Sequence, residues 1–275
     1  IAILMLDFHP RKGKSGGAWM TGFREQSRET VCVGQSVQSR RILPVISLVM
    51  NFTRSTPARP SLLSHSEMNT FLHEFGHALH GIMSDCTYES LSGTNVKRDF
   101  VELPSQILEN WAWEKEWLDT WAAHYQSGEK IPGEILVRLK ESLTYNEGYA
   151  CMRQLSFGFL DMAWHTLTET FRGDIVAFER AAMAQTELLP HADGACMSVS
   201  FAHLFSGGYA AGYYGYKWAE VLDADAFSLF RQRGIFDKAT AESFRRNILE
   251  KGGTEHPMEL YKRFPDVGEG PLTKA

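Results

Sequence analysis

Cysteine is scarce in this chain: four residues in 275, Cys32, Cys86, Cys151 and Cys196, with no CxxC pair among them. That spacing excludes a zinc ribbon, a thioredoxin-type redox motif and the dense disulfide framework of a small secreted domain. It reads as reduced, mostly buried thiols in a cytosolic protein. Long apolar runs are also missing. The stretch from Ile1 to Leu6 falls far short of the roughly 20 residues that span a bilayer. No basic segment followed by a longer apolar one marks a signal peptide. Nor is there an excess of positive charge: the net charge of −5 argues against a nucleic-acid or anionic-membrane partner. No repeat and no low-complexity linker divides the chain, so residues 1–275 read as one domain, 44% apolar and able to bury a sizeable core.

Within that domain the character changes near residue 60. Residues 1–60 read as strand-rich. Ile1–Phe8, Ala18–Phe23 and Val45–Phe52 are apolar or β-branched runs, with loops expected at Lys12–Gly17 and Thr53–Pro60. Residues 61–275 read as helical. Ser64 and Glu67 form a capping box that starts a helix over about His65–His80, with Gly81 at its end. A long helix is expected over about Asp99–Tyr125, where Trp111, Trp113, Trp117 and Trp121 read as core packing. Further helices are expected over 133–144, 146–170, 174–187, 209–232, 238–251 and 257–264. The fold class is mostly α with a small N-terminal β-sheet.

The first helix carries His73-Glu74-Phe75-Gly76-His77, the HExxH pattern of zinc peptidases. Histidines four apart lie one turn from each other on one face, so both imidazoles reach a single metal. Glu74 lies beside that metal without ligating it and can take a proton from water there. His80 shares the face but sits seven residues from His73, about 10.5 Å along the axis, and so points past a metal held between the first two. The metzincin pattern fails, because His80 and Met83 stand where it needs Gly and His. The third ligand is then a carboxylate from another element. Asp85, Glu89, Asp99, Glu102 and Glu109 all qualify. Glu102 stands out for its apolar setting, since an acid among apolar neighbours usually has a partner, although a carboxylate at a helix N-terminus has the same look.

A second informative stretch is His203-Leu-Phe-Ser-Gly-Gly-Tyr-Ala-Ala-Gly-Tyr-Tyr-Gly-Tyr216. On a helix Tyr209, Tyr213 and Tyr216 share a face, and Gly208, Gly212 and Gly215 form a strip that admits another backbone. A packed core helix would have the same composition. The alternative is chemical: phenol and imidazole donors near a metal stabilise the oxyanion of peptide hydrolysis.

Two segments, His73–His80 and Ser92-Gly-Thr-Asn-Val-Lys-Arg-Asp-Phe-Val-Glu-Leu-Pro-Ser-Gln106, closely resemble the thimet oligopeptidase family, in particular its bacterial oligopeptidase A and peptidyl-dipeptidase branch. The similarity runs from about Asp7 to Phe264 and includes Gly16-Gly-Ala-Trp19. It implies a zincin-like catalytic domain with HExxH on a helix, one zinc ion held by His73, His77 and Glu102, and Glu74 as general base. It also implies that His203, Tyr209 and Tyr216 act on substrate or transition state. Tyr213 falls on another family tyrosine and is expected, with Gly207 and Gly208, to bind substrate; the two glycines are expected to form a mobile loop that lets Tyr209 swing inward.

The implied activity is hydrolysis of peptide bonds in short peptides. Release of C-terminal dipeptides, or an inactive catalytic half serving as a zinc-binding or interaction unit, are the other readings. The family's N-terminal helical half has no counterpart here, and the chain stops at Gly270–Ala275 where the family continues briefly. The expected partners are therefore peptides and either that half or a second copy, in the cytoplasm. Val45–Phe52, just upstream of the zinc helix, is expected to pair with substrate backbone as an added strand.

Overall fold

Strand-forming residues cluster before position 50 and helix-forming ones after 64, and the chain folds accordingly. The computed structural model describes residues 1–33, 36–190 and 192–264; the Gly270–Ala275 terminus lies outside them. Three strands, β1 (Ile3–Asp7), β2 (Trp19–Arg24) and β5 (Val45–Val49), form one sheet in the order β1-β5-β2. β1 runs parallel to β5 and β2 antiparallel to it. Both edges of β5 are thus occupied. The expectation that this run pairs with substrate is corrected: the open edge of the sheet on the cleft side belongs to β2.

A separate antiparallel hairpin, β3 (Ser27–Val33) and β4 (Ser36–Ile42), was not foreseen. Its strands read Ser-Arg-Glu-Thr and Gln-Ser-Arg-Arg rather than alternating apolar with polar residues, so no buried face announced them. Gln26, fully buried, fastens the hairpin to the segment after the first helix by accepting from Cys86 N at 2.6 Å and donating to Cys86 O at 3.1 Å. All four cysteines are free, as expected, but only Cys86 is buried and Cys32 is exposed.

Helix α1 spans His65–Met83, and both halves of the Ser64/Glu67 capping box form. It runs past Gly81 because Ser84, not the glycine, closes it. One side of α1 lies on the sheet, where Ala78 and Ile82 pack with Ile46, Leu48 and Met50. Its N-terminal turns, through Met68 and Leu72, join Leu118 and Leu136.

The helix expected over 99–125 is three pieces: α2 (Leu103–Glu109), a 3₁₀ turn (Asn110–Trp113) and α3 (Lys115–Trp121). Pro104 in the first turn of α2 fixes the late start. Trp111 does pack in the core, against Phe227 and Phe230, whereas Trp121 is exposed. The remaining helices are α4 (Gly133–Ser142), α5 (Glu147–His165), α6 (Ile175–Met183), α7 (Met197–Ser200), α8 (Gly215–Arg233), α9 (Lys238–Phe244) and α10 (Pro257–Arg263). A π-helical turn, Arg245–Leu249, follows α9. The largest core joins α2 to α8 and the C-terminal helices through Leu103, Ile107, Leu222, Phe230, Ile248 and Leu260. Among the described residues no helix is long and apolar enough to cross a membrane.

Asp223 on α8 is buried and accepts from Asn110 Nδ2 at 3.1 Å. Burial pushes its carboxyl up to about 7; the Asn110 hydrogen bond opposes this and the charges of Glu109 and Glu220 add to it. The folded chain therefore holds this proton more tightly than the unfolded one, whose carboxyl titrates near 3.8. The stabilisation is complete below that pH and is lost as pH rises towards 7. Asp223→Asn should remove this slope and raise the unfolding free energy at pH 8 by ~1–3 kcal/mol. Denaturant titrations of both proteins at pH 5 and pH 8 check it; parallel curves at the two pH values would contradict it.

Candidate active site

Helical spacing puts His73 and His77 one turn apart on α1, with ring centroids 5.1 Å apart and planes at 85°. The Glu102 carboxylate meets them both: its Oε2 lies 3.2 Å from His73 Nε2 and 3.2 Å from His77 Nε2. Glu102 is the residue that caps α2, in a helical conformation just before Leu103-Pro104, and it is 1% exposed. What lets α2 come so near is Gly76. A Cβ there would stand 2.2 Å from Pro104 O and 2.5 Å from Ser105 Cα, both backbone atoms. The glycine inside HExxH is thus the contact point between the two helices.

The other carboxylates considered from sequence are engaged elsewhere. Asp85 pairs with Arg28 at 2.7 Å and Asp99 accepts from Tyr214 Oη at 3.1 Å. Glu89 opens a 3₁₀ turn, Glu89–Leu91. Glu109 touches His73 on its far side, with Oε1 2.7 Å from Nδ1. His80 is fully buried, neither ring nitrogen has a hydrogen-bond partner among the described residues, and burial holds it down at about 3. It stands apart from the cluster.

Electrostatics distinguish the members of the group. Burial opposes charge on His73, yet hydrogen bonds to Glu102 and Glu109 carry it up to about 10. Burial likewise disfavours the Glu102 anion, but the two imidazoles hold its carboxyl well below the usual range. Glu74 is buried on the same helix. Desolvation raises its proton affinity, partly offset by His73 and His77.

The donor set passes a test for zinc. Two imidazole nitrogens and one carboxylate oxygen lie within 4.8 Å of one another. Ligands at about 2.1 Å from a tetrahedral ion stand roughly 3.4 Å apart, close to the two 3.2 Å separations here. Three protein donors also leave a coordination position open, as hydrolytic zinc sites require.

His73, Glu74, His77 and Glu102 line a cleft of about 390 Å³ together with Ala18, Trp19 and Met20 at β2, and with Arg98, His203, Gly207, Tyr209 and Tyr216. The three tyrosines expected on one helical face converge, but not by helical spacing. Helix α8 begins only at Gly215, and the preceding segment is a turn with positive φ at Gly207 (78°), Gly208 (79°) and Ala211 (53°). Asp161, fully buried on α5, sets this turn by accepting from Ala211 N at 3.0 Å and Tyr213 N at 2.9 Å.

The rings of Tyr209 and Tyr216 then stack at 5.1 Å, with His203 5.4 Å from Tyr209. The Tyr209 hydroxyl donates to Glu102 Oε1 at 2.5 Å. Burial and the Glu102 charge raise both phenols, so they keep their protons at neutral pH, while burial lowers His203 and keeps it neutral. Tyr213 is set back from the cleft; its ring packs on Tyr216 and its hydroxyl donates to Gln154 at 2.8 Å. The glycine strip does admit a neighbouring backbone: Gly215 lies against Arg98 O and Asp99 Cα.

Sequence reasoning did not single out Arg98, whose guanidinium covers the Tyr209 ring at 4.8 Å. It also missed the roles of Asp161 and Gln154, which no local motif marks. Glu109 was among the candidate ligands, and its place seven residues after Glu102, two turns on along α2, brings it to His73 in another capacity.

Gly76→Ala should lower the thermal midpoint even though alanine is the better helix former by about 1 kcal/mol. Overpacking against backbone costs ~1–3 kcal/mol. Calorimetry decides it, and an unchanged or higher midpoint would refute the contact.

Residues 1–267 match peptidase family M3. The chain is 42% identical over 266 residues to oligopeptidase A of Escherichia coli (strain K12), covering 94% of this chain and 37% of that protein. It is 40% identical over 266 residues to dipeptidyl carboxypeptidase of the same strain, covering 96% and 38%. It is 38% identical over 271 residues to organellar oligopeptidase A of Arabidopsis thaliana, covering 96% and 34%. The chain spans little more than a third of the length of these relatives. With nearly all its residues inside the matched span, it belongs to peptidase family M3.

Proposed function

We propose that this chain carries the centre of a zinc-dependent oligopeptidase, one that hydrolyses peptide bonds in short peptides. The observation that supports it above all is the meeting of His73 Nε2, His77 Nε2 and Glu102 Oε2 in one cleft with the buried Glu74 carboxyl. When bound by those three residues, zinc would supply Lewis acidity, polarising the scissile carbonyl and lowering the pKa of water at the site from 15.7 towards about 7.

Glu74 takes the proton from the attacking water and passes it to the leaving amine. Its raised proton affinity suits both transfers. Tyr216 and His203 offer uncharged donors to the oxyanion. Tyr209 joins them by leaving Glu102, its movement permitted by the positive-φ pair Gly207 and Gly208. Those glycines let the loop approach the peptide, and Tyr213 backs the Tyr216 ring. Substrate backbone pairs along the outer edge of β2, which among the described strands pairs only with β5.

One observation favours a second reading, release of C-terminal dipeptides. Arg98 lines the cleft, and no carboxylate pairs with it among the described residues, so it is suited to a peptide's free terminal carboxylate. In either reading, added polypeptide over the cleft, such as the relatives' greater length could provide, would restrict it to short peptides. A partner polypeptide of that kind, or a second copy, would complete the wall.

Glu74→Gln should retain zinc while turnover falls about 10²–10⁴-fold; full activity would remove Glu74 from the mechanism. Tyr216→Phe should cost about 10²–10³-fold in turnover with zinc affinity kept. Mass spectrometry of products from matched peptides with free and amidated C-termini separates the two readings. Equal cleavage supports the oligopeptidase, and loss on amidation supports dipeptide release through Arg98. A zinc-loaded chain that cleaves no peptide, alone or with the relatives' additional length supplied, would leave only a zinc-binding unit.

A further inference from the structure

The two nitrogens of His73 face opposite carboxylates of a single short helix. Nε2 points to Glu102 at the start of α2, and Nδ1 lies 2.7 Å from Oε1 of Glu109 at its end. Imidazole nitrogens diverge, so a carboxylate on Nδ1 cannot share an ion with Nε2. Glu109 therefore holds the ring instead of the metal. Its other oxygen is also engaged: Asn69 Nδ2 on α1, one turn before His73, donates to Oε2 at 2.5 Å. Both oxygens being fixed, the carboxylate cannot rotate away from the ring. His77 has nothing comparable, since its Nδ1 is buried with no hydrogen-bond partner among the described residues.

We propose that Glu109, braced by Asn69, is the positioning residue of the metal centre: by accepting the Nδ1 proton of His73 it fixes the ring and leaves the Nε2 lone pair for the ion. This rests on the reading of His73, His77 and Glu102 as a zinc site. The chemistry is that of a carboxylate–histidine–metal chain, in which the outer carboxylate selects the tautomer and raises ligand basicity. The asymmetry adds a consequence. His73 is the anchored ligand, and His77, whose Nδ1 has no such partner among the described residues, is the one free to adjust.

The test is zinc transfer from the loaded 275-residue chain to an excess of chromogenic chelator, with zinc content by mass spectrometry and circular dichroism to confirm folding. Glu109→Ala should weaken zinc binding about 10–100-fold, seen mainly as faster release. Asn69→Ala should accelerate release less, in the same direction. Glu109→Gln should recover most of the loss, because the introduced amide carbonyl still accepts from Nδ1 while Asn69 reverses its own amide to match. Wild-type release from Glu109→Ala would overturn the proposal. So would a Glu109→Gln protein as leaky as Glu109→Ala, which would make the residue structural only. Should Glu109→Ala not fold, wild-type release from Asn69→Ala overturns it. A wild-type chain that takes up no zinc fails differently, removing the metal reading itself and this inference with it.

Discussion

A single carboxylate oxygen, Glu102 Oε2, stands at equal distance from two imidazoles on a neighbouring helix. Everything else around the cleft serves that meeting. Two helices must approach more closely than side chains usually permit, and Gly76 is where they do so, with the Pro104 carbonyl against its Cα. Pro104 in turn delays the start of α2, so that the chain just before it is a tight turn which aims Glu102 at the histidines. A buried carboxylate beside two half-buried imidazoles is costly to desolvate unless something positive joins it. The fold accepts that cost at a place where, among the described residues, the donors are grouped so that a divalent cation would repay it.

The second half of the cleft is built on a different principle. Its tyrosines come from a turn, not a helix, and the turn takes its shape from a buried acid at a distance, Asp161 on α5. Arg98 lies across the Tyr209 ring, and Gly212 and Gly215 rest on the Arg98–Asp99 segment. The stretch of chain that ends in Glu102 therefore also supports the tyrosine turn. The Tyr209–Tyr216 cluster and Glu102 share one support, which keeps their spacing coupled even though they are more than a hundred residues apart in sequence.

How much of this was legible in advance follows from which forces are local. The Ser64–Glu67 box, the alternation-free apolar run of β5 and the i, i+4 histidines are short-range patterns, and each gave the right element. Glu102 emerged from its setting and from resemblance, because a carboxylate delivered by a second helix leaves no spacing rule. The tyrosine segment misled. Its i, i+4, i+7 pattern suits a helix, but the double glycine and the pull of Asp161 make a turn, and the ring cluster survives for tertiary reasons. The polar hairpin was invisible because no alternation of apolar and polar residues marks its strands, and the break at Asn110–Trp113 because no breaker residue marks it.

The open rim of β2 has a consequence for what the cleft can recognise. A strand edge presents main-chain donors and acceptors at a fixed repeat, so a guest seated there is judged by its conformation before its composition. Segments already coiled into helix cannot present the complementary row, and a proline at a pairing position lacks the hydrogen to offer. Under the proposed function, such a rim would sort peptides by whether they can be pulled straight, a criterion that unstructured chains of almost any sequence meet and folded ones do not.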